Sequence, residues 1–474
     1  MKPFTRFPAD GPSQDAPAGG LAGKPATAYR DTRPDNRSTG PRGYPLVGHI
    51  PAFLRDRLGF LSDCAARYGD VVRLRIGRPT LLLNNPDDIR HVLIANGSNY
   101  EKTPRLTSAR GRRLSGSGLL TGTGAAAQRQ RKLLRPVFSR KTIDSLAASF
   151  VRNTQALLER WPDRGELDVA PPMMALAQNN ILDAVLGASI DDRDRLARDL
   201  TIRRRYMEQF FFSPFPAWWP NRVGLAYRSA ILRIDAMLDG AIQQRRRNDQ
   251  SADDLLSLLV AAKHDDGAGM TDAQVRDEAR TLLITGYETN GEALAWTLHL
   301  LAKHSEIEAR LHAEVGALCG RRPPSVDDVP KLRYTAAVLA ESMRLFPPTW
   351  IIVRIAVADD MLPSGAPVAA ASKIYLCPYV THRDPRYWSD PDRFDPDRFG
   401  DAAPSRPALA YFPFSAGARV CLGESLARME SVLVLATITQ SFAVTDAGGH
   451  GIELEPRMTL RSKSGVRVQL GRRH

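Results

Sequence analysis

Residues 271–303 constrain the fold more than any other part of the chain. Thr271 followed by Gln274 has the capping-box spacing that starts a helix. Leu282, Leu283, Ala293, Leu294 and Leu298 continue a helical apolar pattern with no proline to stop it. At ~1.5 Å per residue such a helix runs ~48 Å, enough to cross a domain. A helix that long and that apolar has to be central rather than superficial. The pattern is helical from about residue 125 to 345. Strand character is confined to residues 71–76, to 80–84 and to short pieces of the last third. The expected fold class is mainly α with a small β region.

Composition sets the outer limits. The chain has 474 residues, 43% hydrophobic and 25% charged, which is ordinary for a globular protein and excludes a wholly disordered one. Gly and Pro make up 14 of the first 45 residues against 69 of all 474. Residues 1–43 therefore read as a disordered leader and 44–474 as one domain. No apolar run reaches membrane-spanning length and the N-terminus lacks a signal-peptide core, so no transmembrane anchor is expected. Cys64, Cys319, Cys377 and Cys421 are too scattered for a disulfide scaffold and suit a reducing, cytoplasmic compartment. The net charge of +13 comes from arginine clusters on helical stretches. These read as solvated faces, or as a surface for an acidic protein. No nucleic-acid-binding module accompanies them.

The chemistry concentrates between Phe414 and Gly423. Cys421 sits between Gly417 and Gly423, which remove side chains so that the backbone can approach something flat and large. Arg419 adds a fixed positive charge two residues away. Residues 424–430 read as a helix, which would place the sulfur among unpaired N–H groups that favour a thiolate. A thiolate held this way is an axial ligand for haem iron. The spacing FxxGxRxCxG resembles the signature of the cytochrome P450 family; five fixed positions recur by chance in such a chain with a frequency of ~10⁻⁴.

Three further motifs carry the resemblance. Glu341-Ser342-Met343-Arg344 places an acid and a base on one helical face. Phe394 to Phe399 is similar to the family segment that brings a second arginine, here Arg398, to the same glutamate; Glu341, Arg344 and Arg398 are implied to be structural. Thr285-Gly286-Tyr287-Glu288-Thr289 lies inside the long helix. Gly286 costs about 1 kcal/mol against Ala there, so something should approach its backbone. Thr285 and Thr289, four apart, can face one cavity. The resemblance makes Thr289 the alcohol and Glu288 the acid of a proton relay, with Thr285 where Ala is usual. It also implies Arg131, Arg354 and Arg419 as partners of the haem propionates. Ala127 stands where Trp or His is usual, so one propionate contact should be missing.

The resemblance spans about residues 44–474 and implies a single-domain P450 fold holding haem b through Cys421. It implies a soluble, bacterial-type haem-thiolate monooxygenase of secondary metabolism. Such an enzyme uses O₂ to hydroxylate or epoxidise a small molecule. With no residues left for a fused reductase, electrons are expected from an acidic ferredoxin and its reductase. Thr349, Trp350 and Ile351 correspond to a stretch over the haem and, with Thr285 and Gly286, should line the pocket. The aromatic segment 206–220 either packs lid helices on the core or forms a greasy entrance that touches membrane. The pocket is expected to take a largely apolar terpenoid, polyketide or fatty acyl compound. A peroxide-driven enzyme and a non-catalytic haem sensor are the alternatives, and the retained Glu288-Thr289 pair speaks against both.

Overall fold

The computed structural model describes residues 40–187, 192–212, 222–247, 254–264, 266–448 and 451–473. Most of these residues are helical, and the sheets are small and peripheral. Most of the expected leader, 1–39, lies outside the described residues. Gly40 and Pro41 are already buried, and Pro41 O pairs with His49 Nε2 at 2.9 Å, ahead of the expected start at Tyr44.

The expected central helix forms, but in two pieces. Thr271 caps Asp272–Thr285 with the capping box predicted from its spacing. After Gly286 and Tyr287 the chain continues as Glu288–Lys303, buried along nearly its whole length. The interruption has local causes. Thr281, Thr285 and Thr289 each return a hydroxyl to the carbonyl four residues back, at 2.9, 2.8 and 3.4 Å. Such bonds compete with the helix ladder and bend it. Gly286 is needed for packing: a Cβ there would lie 2.6 Å from Ile181 Cδ1 of the neighbouring helix Ala170–Leu186. The close neighbour inferred from Gly286 is thus a helix side chain.

Around this pair the core assembles in three apolar clusters. In the largest, Trp296 stacks on Phe346 with centroids 4.4 Å apart and donates Nε1–H to Leu460 O at 2.9 Å. The helices Arg333–Leu345 and Glu424–Ser441 pack against it through Val338, Leu345, Val434 and Leu435. The second cluster joins Leu283 and Tyr287 to Leu133, Phe150 and Leu433. The third lies beneath a five-stranded sheet.

That sheet runs in the order Val71–Ile76, Arg78–Leu83, Lys373–Leu376, Ile352–Ala356, Tyr100–Glu101. Only the pairing of residues 80–83 with 373–376 is parallel. The first strand alternates buried and exposed residues, as period-2 patterning requires for a sheet with one covered face. A three-stranded antiparallel sheet joins Arg164–Asp168, Arg467–Arg472 and Phe442–Asp446. Among the described residues no helix is long and apolar enough to cross a membrane.

Candidate active site

The loop before Glu424–Ser441 is shaped by backbone constraints. Gly417 has φ +69°, and a Cβ there would fall 2.1 Å from Leu93 O. Only glycine fits such an approach in that conformation. Its missing side chain therefore makes room for the Leu93 backbone, not for a flat ligand as its position next to Cys421 suggested. Cys421 N donates to Phe414 O at 3.0 Å and Val420 N to Gly417 O at 3.1 Å, which closes the loop on itself. Gly423 is the N-cap of the helix.

The loop presents its sulfur to a cavity of about 760 Å³. Cys421 is the exposed cysteine of the four, and its exposure is to this internal space, deep in the molecule. Burial pushes its thiol pKa up, and the Gly423 N–H and Arg131 only partly oppose this.

Around the cavity stand several buried or partly buried cations. Arg131 Nη2 donates to Val420 O at 2.5 Å, and its Nε is buried without a partner. Arg419 Nη1 donates to Gly97 O and Tyr100 O at 2.7 and 2.9 Å, and its Nη2 pairs with Glu101 Oε1 at 3.1 Å. Arg354 is buried behind it, outside the cavity wall, with a side-chain bond at 3.1 Å to Val353 O. Burial, then Arg419, pulls its guanidinium down to about 10. Lys102, in the cavity wall, is pulled down to about 8 by burial, then by Arg419 and Arg354. A cluster of cations that depress one another is an anion site. Arg131, Arg419 and Lys102 share one cavity wall with Cys421, with Arg354 outside it, and this set fits a flat iron porphyrin that carries two carboxylates. Lys102 was not singled out from the sequence, where nothing distinguishes it from a surface lysine.

The remaining site residues divide. Thr285, Gly286, Thr289, Thr349, Phe414 and Gly423 line the cavity. Trp350 and Ile351 do not, contrary to expectation. Trp350 is 2% exposed, belongs to the largest core cluster and donates Nε1–H to Arg457 O at 2.8 Å. Ile351 is packed against the same cluster. Glu288 is also absent from the wall. Its Oε1 accepts from Thr459 Oγ1 at 2.9 Å, and Thr459 does not line the cavity either. Burial pushes its carboxyl up, against the pull of Arg204 and the Thr459 hydroxyl.

Glu341, Arg344 and Arg398 do meet. Arg344 Nε and Nη2 hold Glu341 Oε2 and Oε1 at 2.7 and 2.8 Å, and Arg398 Nε lies 3.3 Å from Oε1. Arg344 also donates to His382 O, Pro391 O and Arg393 O. The pair thereby fastens the irregular segment 382–399 to the helix Arg333–Leu345. Of the aromatic segment, Tyr206 stacks on Tyr227 with centroids 4.2 Å apart, and Arg110 lies over the Phe210 ring at 5.4 Å. The side chains of Phe211, Phe212, Phe215, Trp218 and Trp219 lie outside the described residues.

The cytochrome P450 family model matches residues 39–469. The chain belongs to the cytochrome P450 family. It is 32% identical over 440 residues to cyclooctat-9-en-7-ol 5-monooxygenase of Streptomyces melanosporofaciens, covering 90% of this chain and 94% of that one. It is 31% identical over 413 residues to pentalenene oxygenase of Streptomyces avermitilis, covering 86% and 91%. Among solved structures it resembles the retinoic acid-bound cyanobacterial CYP120A1, with a TM-score of 0.82 at 26% identity over 92% of this chain and 99% of that one. This P450 is a monooxygenase, and its family and fold imply haem with a cysteine thiolate ligand.

Proposed function

We propose that this P450 uses O₂ to hydroxylate or epoxidise a largely apolar terpenoid. One observation carries the reading: Cys421 and Thr289 stand in the wall of one cavity to which Leu119, Leu120, Phe138, Ile181 and Leu282 add a largely apolar lining. The two relatives named above bear the names of an alkenol and an alkene, which suits such a lining.

The haem, when bound, supplies the activation of dioxygen. Cys421 would provide the sulfur that holds its iron. Arg131, Arg354 and Arg419, joined by Lys102, would neutralise its carboxylates, and Phe414 at the start of the ligand loop lies under Arg428, whose guanidinium is 4.8 Å from the ring centroid. Thr289 holds a proton-bearing hydroxyl in the cavity. Glu288 reaches it only by leaving Thr459, so its share in proton delivery requires a side-chain rotation. The apolar walls exclude water and orient the substrate. Electrons come from a separate acidic ferredoxin and its reductase in the cytoplasm. Arg129, Lys132 and Arg135, exposed on and just after the helix Gly124–Leu134 that carries Arg131, suit its docking.

The test is optical titration of the holoenzyme with a terpenoid panel, followed by turnover with a surrogate ferredoxin system. Terpene hydrocarbons and alkenols should shift the spin state and yield products one oxygen heavier, at rates that fall as salt rises. Shifts confined to small polar or amino-acid ligands would overturn the substrate class. Salt-independent turnover would overturn the electrostatic docking.

A further inference from the structure

Asp360 gathers three side chains of one chain segment onto a single oxygen. Its Oδ2 accepts from Tyr100 OH at 2.7 Å, from His91 Nε2 at 2.8 Å and from Asn96 Nδ2 at 2.9 Å, while Oδ1 accepts from Met361 N at 2.9 Å. Burial would push this carboxyl up, but the bonds from Tyr100, His91, Met361 N and Asn96 outweigh it and hold it at about 2. The group is therefore a charged acceptor at neutral pH, which makes each of the three bonds a strong one. Asp360 stands on a short hairpin, Asp360–Met361 paired with Pro367–Val368. The segment it grips is unusual too. After the helix Pro86–Arg90 the chain makes a wide turn in which Asn96 N donates five residues back, to His91 O at 2.8 Å. Turns of this width are rare and recur at functional sites.

The same segment is what the Cys421 loop leans on. Leu93 O, in the wide turn, is the atom that a Cβ on Gly417 would strike. Gly97 O and Tyr100 O accept from Arg419 Nη1. Gly97 follows Asn96, and Tyr100 is itself one of the three donors to Asp360. Residues 99–101 have a second anchor: Ala358 N donates to Asn99 Oδ1 at 2.8 Å, and Tyr100 and Glu101 pair with Ala356 and Ile355 in the sheet. Residues 91–97 meet the hairpin through the side chains of His91 and Asn96, so their register depends on the carboxylate.

We propose that Asp360 is a positioning residue of the haem site, fixing residues 91–97 as the seat of the Cys421 loop and of Arg419. The inference rests on the reading of Cys421 and Arg419 as haem-binding groups. Asp360 does not line the cavity and acts through the carbonyls of Leu93 and Gly97. Without it His91, Asn96 and Tyr100 lose their common acceptor and the turn relaxes. Leu93 O then no longer backs Gly417, and Arg419 loses one of the two carbonyls that aim its guanidinium.

The experiment compares wild-type holoenzyme with Asp360→Ala, Asp360→Asn, Arg419→Leu and the double variant Asp360→Ala/Arg419→Leu. Deuterium exchange is read over residues 91–97 and, as a control, over the helix Arg333–Leu345. Transfer of haem to apomyoglobin gives the release rate. Asp360→Ala should speed exchange over 91–97 about tenfold, leave the control helix unchanged and release haem about tenfold faster. Asp360→Asn keeps one acceptor oxygen and should fall between wild type and Asp360→Ala on both readouts. In the Arg419→Leu background Asp360→Ala should add about threefold or less to the release rate, because part of its effect passes through Arg419. The full tenfold in that background, a wild-type release rate in Asp360→Ala, or equal speeding of exchange in the control helix overturns the proposal. Where Asp360→Ala fails to fold, Tyr100→Phe, which removes one of the three donors, goes through the same cycle and must give the same pattern at smaller size. If Arg419→Leu releases haem as slowly as wild type, the reading of Arg419 as a carboxylate partner fails instead, and exchange over 91–97 alone judges Asp360.

Discussion

Arg344 and Glu341 form a two-point ion pair with neither side chain exposed to solvent. Arg398 adds a second guanidinium to the same carboxylate. Removing the acid leaves two positive groups buried without a counter-charge. Glu341→Ala should therefore lower stability by about 3–5 kcal/mol, read as a shift of the urea unfolding midpoint. Arg344→Lys cannot reproduce the fork geometry and should also destabilise, by less. A Glu341→Ala midpoint equal to wild type would show that the trio carries no load.

Arg354 tests the anion site from behind. Burial and Arg419 hold its guanidinium below the usual range, so the charge is costly unless an anion meets it. Arg354→Leu should release haem to apomyoglobin about tenfold faster than wild type while leaving the circular dichroism of the protein unchanged. Equal release rates would remove Arg354 from the carboxylate partners.

Much of this was legible in the sequence, and the limits have physical reasons. The ligand loop and the Glu341–Arg344 pair are local or short-range patterns. So are the capped helix start at Thr271 and the alternating strand Val71–Ile76. Trp350 was misread because its neighbour Thr349 does line the cavity. One residue along an extended chain turns the side chain to the opposite face, here into the core. Glu288 is expected to share a proton relay with Thr289, but adjacent helical residues stand about 100° apart, and Thr459 holds the carboxyl away from the cavity wall. Gly286 marks a close approach to its backbone, and Ile181 makes it, whereas the space at Gly417, expected to make room for something flat, is filled by the Leu93 carbonyl. Lys102 was invisible because its role depends on contacts with residues 119 and 122 and on the distant Arg354 and Arg419.

Glu430 predicts a pH dependence of stability. It is buried in the helix after Cys421 and accepts from Asn180 Nδ2 at 2.9 Å. Burial pushes its carboxyl from 4.5 up to about 7. Between these values the folded chain keeps a proton that the unfolded chain has lost. Stability should therefore fall as pH rises through this window, by up to ~1.4 kcal/mol per pH unit from this group, and level off above it. Glu430→Gln should flatten the slope of unfolding free energy between pH 5 and about 7. An unaltered slope would contradict the assignment.

Thr289 should separate oxygen consumption from product formation. Thr289 lines the cavity, and its hydroxyl makes a 3.4 Å bond to Thr285 O. Thr289→Ala should leave haem content intact and lower product formed per NADPH by up to about 10²-fold, with peroxide appearing in its place. Thr289→Ser should recover most of the loss. Full coupling in the alanine variant would move the proton donor elsewhere.

The most direct measurement concerns Cys421. Purified holoenzyme is reduced with dithionite, exposed to carbon monoxide and compared with Cys421→Ser. Wild type should show the long-wavelength Soret band of thiolate-ligated ferrous iron, and the serine variant should lack it. The same band in both proteins, or in neither, would contradict the account.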